Sequence, residues 1–202
     1  MNISSLSYPN STHARCLHYA HLNISEFTHL HARRRQYRDK NWVQKLYREY
    51  DAIIYGGFLE DRSKLFDERH VTASTIHLGV DVWLPEGFIV FFPHLHESKL
   101  LYRSSDVGYV GGWGGRKDFL FDDEVWVFAH LDPYDELFLK DEWAVGKIGG
   151  KKVNGNWTPH LHIQRLSYDA YKELDPDDLD GYAAPDDPII SAHINPFDEN
   201  NS

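Results

Sequence analysis

Thr75-Ile76-His77-Leu78-Gly79-Val80-Asp81 decides how this chain reads, because it sets ligand-type residues at even steps in a β-rich run. Side chains alternate between the two faces of a strand, so residues four apart share a face. His77 and Asp81 then reach into one site while Ile76 and Val80 turn the other way. Gly79 lies between them and carries no side chain, which leaves space for an ion and a substrate.

The texture continues downstream in short runs, Phe88 to Phe92, Leu100 to Arg103, Glu124 to Leu131, Ala144 to Ile148 and His160 to Leu166. Turn residues separate them at Pro85-Glu86-Gly87, at the Gly111-Gly112-Trp113-Gly114-Gly115 loop, at Gly149-Gly150 and at Asn154-Gly155-Asn156. Upstream, Trp42, Val43, Leu46, Tyr47 and Tyr50 recur at three- and four-residue steps and predict a helix from Gln36 to Ile53, ended by Gly56-Gly57. The expected fold is mainly β, α+β overall: an antiparallel β-sheet or sandwich with a metal-binding groove, plus that N-terminal helix. One globular unit is expected, made of an irregular segment and helix over residues 1–68, a β domain over 69–166, and an acidic, loop-rich wrap and tail over 167–202.

A net charge of −10 lacks the footprint of a nucleic-acid binder, and the short run Arg33-Arg34-Arg35 is followed by mixed charges that include Asp39 and Glu49. Cys16 is the single cysteine, so an internal disulfide is excluded and any metal site draws on His and carboxylate. Neither a signal-type leader nor a membrane-length apolar run is visible, which gives the expectation of a cytoplasmic protein, with action outside the cell by another export route left open. Thirteen histidines stand out, because His serves both as zinc ligand and as proton carrier near neutral pH.

Pro159-His160-Leu161-His162 places two histidines on one strand face, with Leu161 and Ile163 packing inward. One ring can bind a metal while its neighbour stays free. Val125-Trp126-Val127-Phe128-Ala129-His130-Leu131 is an apolar strand carrying one imidazole, whose desolvation is costly unless it has a partner or a task. Two His and one Asp form a three-ligand set with an open fourth position, the catalytic zinc arrangement. Hydrolysis of an amide is the natural use, with the remaining histidines to move the proton and stabilise the oxyanion.

The order His-x-Gly-x-Asp, a strand ending in Ala-His-Leu, a Gly-containing stretch Val145-Gly146-Lys147-Ile148-Gly149 and Pro-His-Leu-His resembles the lysostaphin-type (M23) zinc metallopeptidases over residues 69 to 166, about half the chain. That resemblance implies one Zn2+ per chain held by His77, Asp81 and His162, with His160 as general base and His130 as transition-state stabiliser. It also implies a metalloendopeptidase on a grooved antiparallel sheet, acting on peptides of the peptidoglycan type, with no nucleic-acid or membrane partner. This chain departs from the pattern at Phe91-Phe92-Pro93-His94, where the family carries an alanine-proline and a small-residue hairpin. The alternative is a catalytically inactive zinc-binding module that recognises protein or glycan.

Other histidines read as surface or groove lining: His94 and His96 in a second Pro-His-Leu-His run, His29 and His31, and the group Cys16, His18 and His21, which lacks an obvious fourth ligand. Trp113, in the glycine loop, is a candidate cover for the cleft.

Overall fold

A computed structural model describes residues 41, 54–63, 73–92, 94–106, 112–140 and 144–197. Apart from Asn41, which is helical, the expected helix over Gln36 to Ile53 lies outside the described residues, as do the His-rich N-terminal segment and the last residues of the C-terminal tail. Within them the molecule is mainly β and antiparallel. Ten strands run β1 (Ile54–Gly56), β2 (Ile76–His77), β3 (Val80–Trp83), β4 (Ile89–Val90), β5 (Lys99–Asp106), β6 (Gly114–Phe121), β7 (Glu124–Leu131), β8 (Gly146–Lys147), β9 (Leu161–Ser167) and β10 (Tyr182–Ala183). Two short helices, α1 (Glu136–Lys140) and α2 (Tyr168–Lys172), sit among the later strands.

Six strands form one sheet in the order β1-β3-β9-β7-β6-β5, and β10 with β2 and β4 with β8 make two-stranded pairs. β1 joins this sheet from N-terminal of residue 69 by pairing with β3. Alternation divides the large sheet into two faces. Val80 and Val82 of β3 stand opposite Ile163 and Leu161 of β9, and all four enter a core with Phe92, Phe119, Trp126, Phe128, Leu131 and Phe138. Each large apolar side chain so buried stabilises the fold by roughly 1.5–3 kcal/mol. Asp81 and His162 pair between those apolar positions, so the same strands aim them at the opposite face.

The second face changes character along its length. Val125, Val127 and Leu166 make an apolar patch with Tyr171 and Leu179, which places α2 and the chain after it over this side. The C-terminal wrap is therefore a packed layer that opens on helix α2, which is five residues long, lies ahead of the acidic, proline-containing run and is too short to show a periodic pattern. Ser167 caps α2 by accepting from the Ala170 N–H.

Two sequence expectations need correction. The run from Thr75 is not one strand: β2 pairs with β10 and β3 pairs with β9, with Leu78-Gly79 as a break between them. The glycine loop is also shorter than expected, since Gly114 and Gly115 open β6, an eight-residue strand between β5 and β7. Arg116, Lys117 and Asp118 at its centre are charged and fully buried, which hides it from any reading based on apolar alternation. Asp122 and Asp123, with φ of 51° and 59°, make the two-residue turn from β6 into β7.

Candidate metal centre

Three strands deliver the site. β9 is central, with Asp81 of β3 directly opposite His162 on one side and Ala129 of β7 opposite it on the other. His77 arrives from β2, held where Tyr182 of β10 pairs with it. His77, Asp81 and His162 are 1%, 2% and 3% exposed, and they are the group among the described residues able to share one metal ion.

Hydrogen bonding identifies the atoms that face each other. His77 Nδ1–H donates to the Gly57 carbonyl at 2.8 Å, so its Nε2 carries the lone pair. That Nε2 lies 3.0 Å from His162 Nδ1 and 3.2 Å from Asp81 Oδ1, and His162 Nδ1 lies 3.1 Å from the same oxygen. Three acceptor-type atoms thus form a triangle that one proton on His162 Nδ1 can serve only in part. A tetrahedral ion with bonds of about 2.1 Å sets its ligand atoms roughly 3.3–3.4 Å apart, close to what the triangle shows. The donor set of two imidazoles and one carboxylate suits a divalent cation such as zinc.

Electrostatics favour the ligand forms. Desolvation works to raise the Asp81 carboxyl, but the charges of His77, Arg62 and His160 and the hydrogen bond from His162 hold it well below the carboxylate range. Burial lowers His77, with Arg62 adding to the effect, and burial takes His162 down to about 4 against the pull of Asp81. Both shifts favour the neutral ring, as a metal ligand must be.

The other two histidines stand beside the triangle. His160 Nδ1–H donates to the Thr158 carbonyl at 2.6 Å, which leaves Nε2 free at 3.7 Å from Asp81 Oδ1. His130 packs against His160 with ring centroids 4.5 Å apart, and its Nδ1 is buried without a hydrogen-bond partner. Desolvation, then the neighbouring His160 and His162, push His130 well below its ordinary value. Its backbone explains how it gets there. Gly115 pairs with Leu131 but Lys117 pairs with Phe128, so Ala129 and His130 oppose Arg116 alone in a bulge. His130 holds φ at 63°, a left-handed conformation that costs a non-glycine residue about 1–2 kcal/mol. Its N–H donates to the Trp113 carbonyl and its own carbonyl accepts from Gly149, which fix the bulge in place.

All five histidines and carboxylates singled out from the sequence therefore converge. His94 and His96 do not: they lie in the turn before β5, with His94 stacked on Phe121 at 4.1 Å. Gly79 also has another use than expected. A β-carbon there would come within 2.7 Å of the His162 ring and 2.5 Å of the Ile163 carbonyl, so its missing side chain makes room for the ligand ring itself.

Sequence reasoning missed Arg62. It is buried, and its Nη1 donates to Asp81 Oδ2 at 2.7 Å and to the Tyr182 hydroxyl at 3.1 Å. By occupying Oδ2 it turns Oδ1 toward the imidazoles, as outer partners of metal ligands do. Gly57, at φ 93°, permits the packing: a β-carbon there would stand 2.2 Å from Arg62 Nη2. No spacing in the sequence links position 62 to 81; the clue available was the glycine pair, which composition alone assigns to a helix end.

Compared with known proteins, the chain matches no family model, no curated protein and no solved structure. The assignment of the centre thus rests on its own geometry. No helix among the described residues is long and apolar enough to cross a membrane.

Proposed function

We propose that this protein is a zinc-dependent peptidase of the lysostaphin type, with peptides of the peptidoglycan kind as its substrate class. The observation that carries the reading is the triangle of His77 Nε2, Asp81 Oδ1 and His162 Nδ1, flanked by His160, whose Nε2 faces Asp81 Oδ1 at 3.7 Å, and by His130, whose Nδ1 is buried without a hydrogen-bond partner. Zinc held by those three atoms supplies Lewis acidity and a nucleophile at neutral pH.

The chain's own groups do the rest. His160, oriented by the Thr158 carbonyl, offers Nε2 to take a proton from the attacking water as its oxygen bonds to the scissile carbon. His130, neutral at ordinary pH and fixed by its bulge, supplies a hydrogen bond to the oxygen that gains charge in this reading. The proton taken by His160 then goes to the departing amine as the C–N bond breaks, so the sum is one water consumed and one acid and one amine formed. Asp81 and Arg62 hold the ligand geometry throughout.

A second reading, a catalytically silent zinc module, draws support from the burial of all three ligands. One variant separates the two. His160→Ala in a peptidase keeps its zinc and loses hydrolysis, measured by metal analysis alongside a screen of muropeptides and glycine-rich peptides. Full zinc with no cleavage by the unmodified chain would leave the silent module standing.

A further inference from the structure

We propose that Gln164 and His193 are positioning residues for the metal ligand His162, taking up the proton on its Nε2 through one buried water that all three side chains share. This rests on the ligand set above and holds equally for a peptidase and for a silent zinc module. When His162 gives its Nδ1 lone pair to an ion, the neutral ring keeps its proton on Nε2. A ligand imidazole ordinarily hands that proton to an outer acceptor, which fixes both tautomer and ring orientation. For His77 the acceptor is the Gly57 carbonyl. His162 Nε2 is buried and has no hydrogen-bond partner among the described residues.

Two more buried polar atoms share that condition, Gln164 Oε1 and His193 Nε2. Both are acceptors. Gln164 Nε2–H donates to the Asp180 carbonyl at 2.9 Å, which assigns the other amide atom as oxygen. His193 Nδ1–H donates to the Ile189 carbonyl at 2.9 Å, which leaves the lone pair on Nε2. One donor and two acceptors are what a single water complements, since it accepts from the first and donates to the others. A buried water typically makes about three such bonds.

Pairing brings the three side chains to one place. Gln164 follows His162 by two residues on β9, so both point to the same face. His193 leaves a short 3-10 turn, Pro188–Ala192, and bridges to Leu166, while the Ile194 N–H donates to the Arg165 carbonyl at 2.7 Å. Residues opposite each other in an antiparallel pair share a face, so His193 joins that side. Burial pushes His193 below its ordinary value and His162 adds to the effect, so the two rings feel each other. Gly181 borders the same space: a β-carbon there would lie 3.8 Å from His162 Nε2, and Gly181 follows the residue whose carbonyl Gln164 holds. Val125, Val127 and Leu166 make the rest of this face apolar, where unpaired polar atoms are costly. Without the outer acceptors, the tautomer with its proton on Nδ1 gains, because that proton bonds to Asp81 Oδ1 at 3.1 Å and denies the lone pair to an ion.

The test uses the full chain with zinc alone, and affinity is read by chelator competition. Gln164→Met and His193→Leu each remove one acceptor, and each is expected to weaken zinc about 10- to 100-fold. Because both act through one water, the double variant is expected to lose no more than about threefold beyond the weaker-binding single variant. His193→Gln keeps an acceptor and should retain most of the affinity. Losses that multiply in the double variant, or unchanged affinity in either single variant, overturn the shared water. The unmodified chain gives a readout that needs no variant. Nitrogen NMR of the zinc-loaded protein is expected to show His162 protonated on Nε2, with that proton slow to exchange with solvent. Fast exchange with zinc firmly bound sinks the outer partners and leaves the ligand set standing, whereas an unmodified chain that binds no zinc removes both.

Discussion

Pro93-His94-Leu95-His96 and Pro159-His160-Leu161-His162 are the same four residues, and only one of them makes a site. In both, the leucine is buried in the same apolar core. The histidines part company. His94 and His96 sit in a turn, where His94 stacks on Phe121 and His96 is exposed. His160 and His162 enter β9, a central strand, and both are buried. A central strand has neighbours on each side, and here β3 brings Asp81 and β7 brings His130 to the same place. The motif supplies the rings, and strand pairing supplies what they face.

The sharpest way to break this comparison is Asp81→Ala. It should lose zinc and hydrolysis together, whereas His96→Ala should change neither; metal analysis by mass spectrometry settles it, and equal zinc in both variants would contradict the ligand set. Next comes His160→Ala, expected to keep zinc while kcat falls by about 10²–10⁴-fold, the range for a lost acid–base group. Arg62→Met tests the outer partner. Zinc affinity, read by chelator competition, should weaken about 10- to 100-fold, and Arg62→Lys should restore part of it.

A smaller effect follows from protonation. In metal-free protein His162 has a folded pKa of about 4, and burial also lowers His77 and His130. The unfolded chain takes up those protons near pH 6.5, so it binds more of them than the folded form as the pH falls from there toward 4. Stability should therefore drop across that window, by up to about 1.4 kcal/mol per pH unit from His162, with His77 and His130 acting in the same direction. Urea midpoints from pH 7 to 4.5 measure it, and a flat series would mean the rings are not held neutral. Smallest is His94→Ala, which removes the stack on Phe121 and should cost about 0.5–1.5 kcal/mol of stability with zinc binding unchanged.

Much of the centre was legible because its residues announce themselves. His, Gly and Asp at two-residue steps, and His-x-His before an apolar alternation, say that rings and a carboxylate can share faces. β7 was read with the bounds it has, since an unbroken apolar run with a β-branched start leaves few other options. β6 was not, because Arg116, Lys117 and Asp118 look solvated until their partners are known. The bulge that turns His130 inward was equally hidden. It comes from a mismatch in pairing between β6 and β7, which neither strand records alone.

The sequence by itself determined the chemistry on offer: which donors exist, that thiolate is scarce, that the strands alternate, and that His77, Asp81, His130, His160 and His162 stand in three strand-like runs. The tertiary structure decided which of those donors meet. Arg62 finds Asp81 across 19 positions, Gln164 holds a carbonyl 16 residues away, and Gly181 comes to rest against His162. The physical reason is that residue type fixes what a side chain can bind and local spacing fixes its face, while proximity between distant segments is set by the pairing and packing of the whole sheet.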